Sequence, residues 1–280
     1  MIFDCHTHLF GPGQVGGTFL AASKRAWGDD YELIVTPEQH AKMIEPFDGA
    51  IVLAFNCPAT GVVVPNDYVA DYVRQYPGRL FGFASVNPHD KDAPEQLEFA
   101  IKEYGLVGLK LGPIYQNFYP DRPEYFPIYA KAAELGIPIL WHQGTSFVPN
   151  GFLDASRPAA LDPIARTFPE LKMIIAHLGH PWYEECVAVI RKNPNMHADM
   201  SALGTRPWQF YNAMLSAVEY GVPNKVLFGS DYGFFTTQQA IDSFRRINDV
   251  VAGTQLPRIP EHVIEDVIHR NTPEILGLGS

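Results

Sequence analysis

Cysteine is scarce: three occur among 280 residues, at positions 5, 57 and 186. An odd number at wide, unequal spacing matches neither a disulfide framework nor the paired cysteines of a zinc ribbon, and it suits a reducing compartment. Basic residues are outnumbered, 21 Lys and Arg against 31 Asp and Glu, for a formal net charge of −10 with no basic run to interrupt it. That balance argues against a nucleic-acid-binding surface. Nowhere do the ~18 consecutive apolar residues of a membrane span occur, and Asp4 and His6 stand where a secretory signal would need its apolar stretch. The expected setting is therefore the cytoplasm and the expected partner a small molecule, with no nucleic acid and no membrane; a homo-oligomer is compatible with the sequence. Low-complexity tracts and repeats of fixed period are also lacking. What remains is 46% hydrophobic and 19% charged, enough for a large core and too apolar for intrinsic disorder, with 23 Gly and 24 Pro marking many turns.

Eight short apolar runs recur: Met1–Cys5, Ala50–Phe55, Leu80–Val86, Leu106–Leu111, Ile137–Trp141, Lys172–Ala176, Met196–Met200 and Lys225–Phe228. Apolar nearly throughout, Met196–Met200 more weakly so, and bounded by turn residues, they suit strands buried on both faces of a parallel sheet. Helical patterns lie between them. Thr36-Pro37-Glu38-Gln39 combines an N-cap, a proline at the first helical position and a capping-box glutamine, and Thr236 to Gln239 repeats that spacing. Val69, Tyr72, Val73 and Tyr76, like Leu161, Ile164, Ala165 and Phe168, fall on one helical face, and Glu261–Leu276 predicts one or two short helices. Alternation of eight β and α units in this length predicts an α/β fold, a (β/α)8 TIM barrel over residues 1–280 as a single domain, with a doubly wound sheet as the weaker alternative. Residues 9–35 and 143–156 are expected as long loops over the barrel mouth.

The first strand carries Asp4-Cys5-His6-Thr7-His8. Histidines at i and i+2 of a strand project to one face, where they can share a metal ion. An isolated pair is more often two polar residues at a strand end. This pair sits where the strand leaves the core, the end at which barrel enzymes build their sites. His142, His177 and Asp231 each directly follow an apolar run as well. One such residue is ordinarily a hydrogen-bonded strand terminus; three of them with a histidine pair, converging on one barrel face, predict a metal site. Imidazole and carboxylate donors suit zinc, with manganese, iron or cobalt next. Cys5 is expected to point away from His6 and to serve in packing.

Phe3–His8, Gly108-Leu109-Lys110-Leu111, Trp141-His142-Gln143-Gly144-Thr145, Ala176-His177-Leu178-Gly179 and Gly229-Ser230-Asp231-Tyr232, in this order over essentially the whole chain, resemble the amidohydrolase superfamily. Within it they look like the amidohydrolase-2 branch related to aminocarboxymuconate-semialdehyde decarboxylase. The resemblance implies one divalent metal ion, zinc first and manganese second, held by His6, His8, His142 and Asp231 at the C-terminal ends of the strands. It implies that His177 is a catalytic residue at or beside the ion. A cation with an open position acidifies bound water. Asp231, between metal and water, can accept that proton and return it to a leaving group, and His177 can polarise a carbonyl or donate a proton. Lys110 shares a strand face with Gly108 and Gly112, which leave room around an inward lysine. Binuclear amidohydrolases carbamylate a lysine of the fourth strand to bridge two metals; the flanking motifs here resemble the mononuclear branch, so one metal and an unmodified Lys110 are expected. That lysine then contacts a substrate anion or pairs with Asp4 inside the barrel.

His180 is expected in the substrate pocket or behind it. Trp182, Trp208, Tyr211, Tyr232, Phe234 and Phe235 follow the sixth, seventh and eighth strands; core packing explains some, while Trp182, Tyr232 and Phe234 are expected to wall the substrate. Arg206, or Arg157, can pair with a carboxylate, although surface solvation is the ordinary role of each. His40, His89, His197, His262 and His269 are expected as solvated or core histidines. The leading functional expectation is a metal-dependent hydrolase that uses metal-activated water on a small ester, lactone or amide. The alternative is a non-oxidative decarboxylase, a carbon–carbon lyase, of an unsaturated or aromatic carboxylic acid. The same residues serve both: one reaction needs water at a carbonyl carbon, the other a proton on a carbon and release of carbon dioxide. A non-catalytic barrel is disfavoured by the complete donor set.

Overall fold

The short, mostly apolar runs are extended and the segments apolar on one face between them are helical; the computed structural model describes residues 1–279. Among the described residues there are ten strands: β1 Phe3–His8, β2 Gly49–Leu53, β3 Phe55–Cys57, β4 Val62–Val64, β5 Leu80–Ala84, β6 Gly108–Leu111, β7 Ile139–Trp141, β8 Met173–Ile175, β9 Met196–Asp199 and β10 Val226–Leu227. Eight form one parallel sheet in the order β1-β2-β5-β6-β7-β8-β9-β10, and these eight are the eight apolar runs of the sequence. The sheet closes on itself: Cys5 N donates to Phe228 O at 3.0 Å, Asp231 N to His6 O at 2.9 Å and His8 N to Tyr232 O at 2.9 Å. With helices between successive strands, this is a (β/α)8 TIM barrel.

Two apolar layers follow from strand alternation. Phe3, Cys5, Ile51, Leu53, Phe83, Leu140, Ile174 and Leu227 fill the barrel, while Ala50, Val52, Leu109, Ile139, Met173 and Ile175 pack outward beneath the helices. Both capping boxes form, with Gln39 N donating to Thr36 Oγ1 and Gln239 N to Thr236 Oγ1. The tail makes two helices, Glu261–Ile268 and Thr272–Leu276. No helix among the described residues is long and apolar enough to cross a membrane.

Three features depart from the sequence expectations. Residues 9–35 are not plain loop: they hold the helix Gly17–Trp27, which starts at Gly16 without a side-chain cap or an acidic first turn and so leaves little sequence signal. The second apolar run stops at Leu53, and its continuation folds into an antiparallel hairpin, β3 on β4. Thirdly, the register of β1 on β2 shifts between Asp4 and Thr7. This bulge changes the alternation, so Cys5 packs in the barrel interior with Phe3 although His6 and His8 also face inward. Asp4 and Thr7 are left to meet the helices, Asp4 through Thr237 Oγ1 at 2.6 Å and Thr7 through His40 Nε2 at 2.8 Å.

Candidate active site

The bulged end of β1 presents His6 and His8 to Asp231, which follows β10. His6 Nε2 lies 3.4 Å and His8 Nε2 3.3 Å from Asp231 Oδ1. One donor atom from each of the three residues falls within 4.8 Å of the others, and all three side chains are buried. Asp231 reaches this position from a left-handed backbone, φ 67°, fixed by its own N–H on the His6 carbonyl. The other side of His6 is held too: Nδ1 is 2.9 Å from Asp199 Oδ2, at the end of β9. A carboxylate only accepts, so the neutral ring carries its proton on Nδ1 and turns a lone pair at Nε2 toward the Asp231 oxygen.

His142 and His177 meet beside this group. His177 Nε2 is 3.2 Å from His142 Nδ1, while His142 Nε2 faces the Thr145 carbonyl oxygen at 3.2 Å and its ring lies 4.6 Å from that of Tyr115. The Thr145 carbonyl requires the proton on His142 Nε2, leaving Nδ1 a lone pair. His142 therefore does not join His6, His8 and Asp231 directly; it borders them through His177. His177, Leu178 and Gly179 are three consecutive left-handed residues, φ 57°, 48° and 67°. A Cβ on Gly179 would lie 2.6 Å from Pro158 Cγ, so the turn that aims His177 inward has no room for a side chain there.

Burial pushes the pKa values of His6 and His8 down, helped at His6 by Lys110, and lowers that of His177 to about 4. The imidazoles are thus neutral. Burial also opposes the charges of Asp231 and Asp199, but the surrounding histidines and hydrogen bonds outweigh it and hold both carboxyls ionised, well below the usual range. A lone pair of His6 facing an anionic oxygen at 3.4 Å is repulsive unless a cation lies between them. Neutral imidazoles and a carboxylate converging in this way fit a divalent metal ion. Lys110, buried, brings Nζ to 3.4 Å from His6 Nε2 and lies over the Phe55 ring; burial lowers its pKa to about 8. Asp4 is not its partner. That carboxylate instead accepts the His6 and Ser230 N–H groups and the Thr237 hydroxyl.

Above the group opens a cavity of about 640 Å³ bordered by His142, His177, His180, Arg206 and Asp231 and walled by aromatic rings, Trp27, Tyr31, Tyr115, Phe147, Phe234 and Phe235. A smaller cavity of about 40 Å³ beneath it reaches Lys110, past Phe10 and Phe55. Of the residues expected to contact substrate, His180, Arg206 and Phe234 border the larger cavity and Lys110 the smaller, whereas Trp182 and Tyr232 border neither. Tyr232 shares the outward face with its bridge partner Thr7 and packs on His40, and Trp182 lies at the start of the helix Tyr183–Lys192 under the Arg157 guanidinium. Arg157 itself pairs with Glu185 at 2.8 Å. Sequence reasoning missed Asp199, Trp27, Tyr31 and Phe147. The signal for Asp199 was a carboxylate at the C-terminal end of the strand Met196–Asp199; the aromatic residues gave none beyond the composition of the two long loops.

The amidohydrolase family model, Amidohydro_2, matches residues 3–278. Gamma-resorcylate decarboxylase of Polaromonas sp. strain JS666 is 22% identical over 246 residues, covering 69% of this chain and 76% of that protein. Among solved structures, a dihydroxybenzoic acid decarboxylase from Polaromonas sp. JS666, with bound manganese and the inhibitor 2-nitroresorcinol, matches with a TM-score of 0.68 at 16% identity, over 100% of this chain and 97% of its own. A probable 2-pyrone-4,6-dicarboxylic acid hydrolase from Acinetobacter baumannii, with citric acid bound, gives 0.69 at 16% identity over 99% of each chain. At such identities the structural likeness is one of fold.

Proposed function

This chain belongs to the amidohydrolase family, and from that premise we propose that it is a metal-dependent carboxy-lyase, a non-oxidative decarboxylase of an aromatic or unsaturated carboxylic acid. The observation that carries this is the aromatic-walled cavity of about 640 Å³ set directly over buried His177 and Asp231. Flat rings of protein favour a flat substrate, and the decarboxylase named among the relatives supports the same class. His6, His8 and Asp231 would hold the ion, with His142 as the fourth donor. The manganese of the related structure moves the first choice from zinc to manganese. When bound, the cation supplies a Lewis acid that draws the substrate's oxygens to one side of the cleft.

The remaining chemistry belongs to the chain. Loss of carbon dioxide breaks one C–C bond, and the carbon that keeps the electron pair must receive a proton. His177 borders the cavity, and its Nε2 lone pair takes a proton from a hydroxyl or carboxylic acid group of the substrate, or from solvent, and passes it to that carbon, which returns the ring to its neutral Nδ1–H form. Lys110, with a free ammonium at the floor, draws the substrate carboxylate inward. Arg206, on the rim with no carboxylate partner among the described residues, suits a second anionic or phenolic substituent.

Hydrolysis, the leading expectation from sequence, would use the same residues and is the competing outcome of the test. Manganese-loaded protein is incubated with 2,6-dihydroxybenzoate, 5-carboxyvanillate and a panel of lactones in ¹⁸O-labelled, deuterated water. Decarboxylation releases carbon dioxide and leaves one deuterium on the product carbon. Turnover that places ¹⁸O in a new carboxylate, with no carbon dioxide, would overturn the proposal in favour of the hydrolase.

A further inference from the structure

Asp199 is a fully buried carboxylate on which polar contacts from three residues converge. Oδ2 faces His6 Nδ1 at 2.9 Å. Oδ1 accepts the backbone N–H of His177 at 3.0 Å, the backbone N–H of Ser201 at 3.0 Å and the Ser201 hydroxyl. Ser201 Oγ in turn lies 2.8 Å from His177 Nδ1, with the Ser201 carbonyl 3.2 Å from the same nitrogen. A hydroxyl has one proton, and here it goes to the carboxylate, so Oγ presents a lone pair to His177. Both neighbours of His177 Nδ1 are then acceptors, so that nitrogen carries the hydrogen, at the cost of two lone pairs facing each other at 3.2 Å between its Nε2 and His142 Nδ1.

We propose that Asp199 is the positioning residue of this site. Directly at His6, and through Ser201 at His177, it sets both rings as Nδ1–H tautomers and turns both Nε2 lone pairs into the cleft. By accepting the His177 N–H it also holds the left-handed turn from which that ring projects. One carboxylate thereby orients a metal-facing histidine and the proton-carrying histidine together. The part concerning the metal rests on the proposed role of His6 as a ligand; the tautomers themselves do not.

The substitution Asp199→Asn has a forced outcome. The atom replacing Oδ1 faces two backbone N–H donors and a hydroxyl, so the amide oxygen must take that place and the NH₂ must face His6 Nδ1. A donor there turns the His6 proton onto Nε2, because the other acceptor near Nδ1, Ser201 Oγ at 3.2 Å, is already engaged by His177 at 2.8 Å, whereas His177, still bonded to Ser201, keeps its own on Nδ1. The test is long-range ¹H–¹⁵N correlation spectroscopy of ¹⁵N-histidine-labelled protein, metal-free and zinc-loaded, with zinc affinity measured by chelator competition. We expect His6 and His177 as Nδ1–H in the metal-free parent, inversion of His6 alone in Asp199→Asn, and a roughly 10- to 100-fold weaker zinc affinity in that variant. Ser201 Oγ also lies 3.2 Å from His6 Nδ1, so in Ser201→Ala the His177 Hδ1 resonance should move upfield by more than that of His6, with both rings remaining Nδ1–H. A parent with His6 or His177 protonated at Nε2 overturns the inference, as does Asp199→Asn with His6 uninverted. Should Asp199→Asn fail to fold, the parent spectrum and Ser201→Ala decide alone. A parent with the expected tautomers that binds neither zinc nor manganese leaves the wiring standing and removes the metal-dependent function.

Discussion

Positive φ values at His177 and Asp231 put two non-glycine residues in a conformation that L-amino acids rarely adopt, and both are residues whose side chains must reach the cleft. Strain of this kind persists only where surrounding bonds over-determine it; here they are the Asp199 carboxylate on the His177 N–H and the His6 carbonyl on the Asp231 N–H. His177→Asn keeps the backbone and some hydrogen bonding but removes the titratable ring. Turnover should fall by ~100- to 10,000-fold, with metal content per chain unchanged by elemental analysis; loss of the metal along with activity would make His177 a ligand. His40, which sequence left open between solvent and core, is buried with Nδ1 on Tyr72 Oη and Nε2 on Thr7 Oγ1, both at 2.8 Å. Burial lowers its pKa to about 3. Its folded-state value lies below the unfolded ~6.5, so the unfolded chain binds more protons between those values. The stability held above pH ~6.5 is therefore lost as pH falls through that window. In His40→Gln the difference in unfolding free energy between pH 7 and pH 4.5, from urea titrations, should be smaller than in the parent.

At the scale of elements, the sequence was readable wherever a strand or helix is specified by its own residues. All eight barrel strands match apolar runs, and both Thr-x-x-Gln boxes cap the helices they were expected to start. The helix Thr237–Arg245 follows the Asp231 loop directly, so Thr236 fixes where that loop ends. Thr236→Ala should cost ~1 kcal/mol of stability, within the 0.5–2 typical of caps, and calorimetry would read it as a lower Tm; no change would mean that the loop, not the cap, sets the helix start. What was not readable depends on tertiary contact. The bulge in β1 is visible only against its partner strand, and it decides that Cys5, expected to point away from His6, packs inward. Helix Gly17–Trp27 has weak local signals and is held by contacts such as Gly16 N on Gly61 O and Phe19 N on Thr60 O. For the same reason strand ends point to His6, His8, His142, His177 and Asp231 as candidates, whereas nothing local points to Trp27, Tyr31 and Phe147, which enter the cavity from segments whose course depends on those contacts.

Across the whole molecule, the barrel seam joins the start of the chain to its last strand. β10 is two residues long, and four backbone hydrogen bonds between β1 and residues 228–232 carry the closure beyond it. His6 and His8 lie on one side of that seam and Asp231 on the other, so a cation shared among them would tie together two segments that meet only when the barrel is complete. Without it, an anionic carboxylate faces a histidine lone pair across the same seam, and the Lys110 ammonium is the compensating charge beside them. Metal binding should therefore stabilise the folded state in proportion to its occupancy, by ~2.7 kcal/mol when free metal is one hundred times its dissociation constant. The effect should be local before it is global. Removing the ion with dipicolinate should lower Tm, and hydrogen exchange should accelerate first at the amides of Cys5, His8 and Asp231, with strands β6 and β7 on the opposite side of the barrel unaffected under the same conditions. Uniform acceleration around the barrel would show that the ion acts on overall stability without closing the seam, and an unchanged Tm would show that this donor set holds no ion worth a measurable part of the fold.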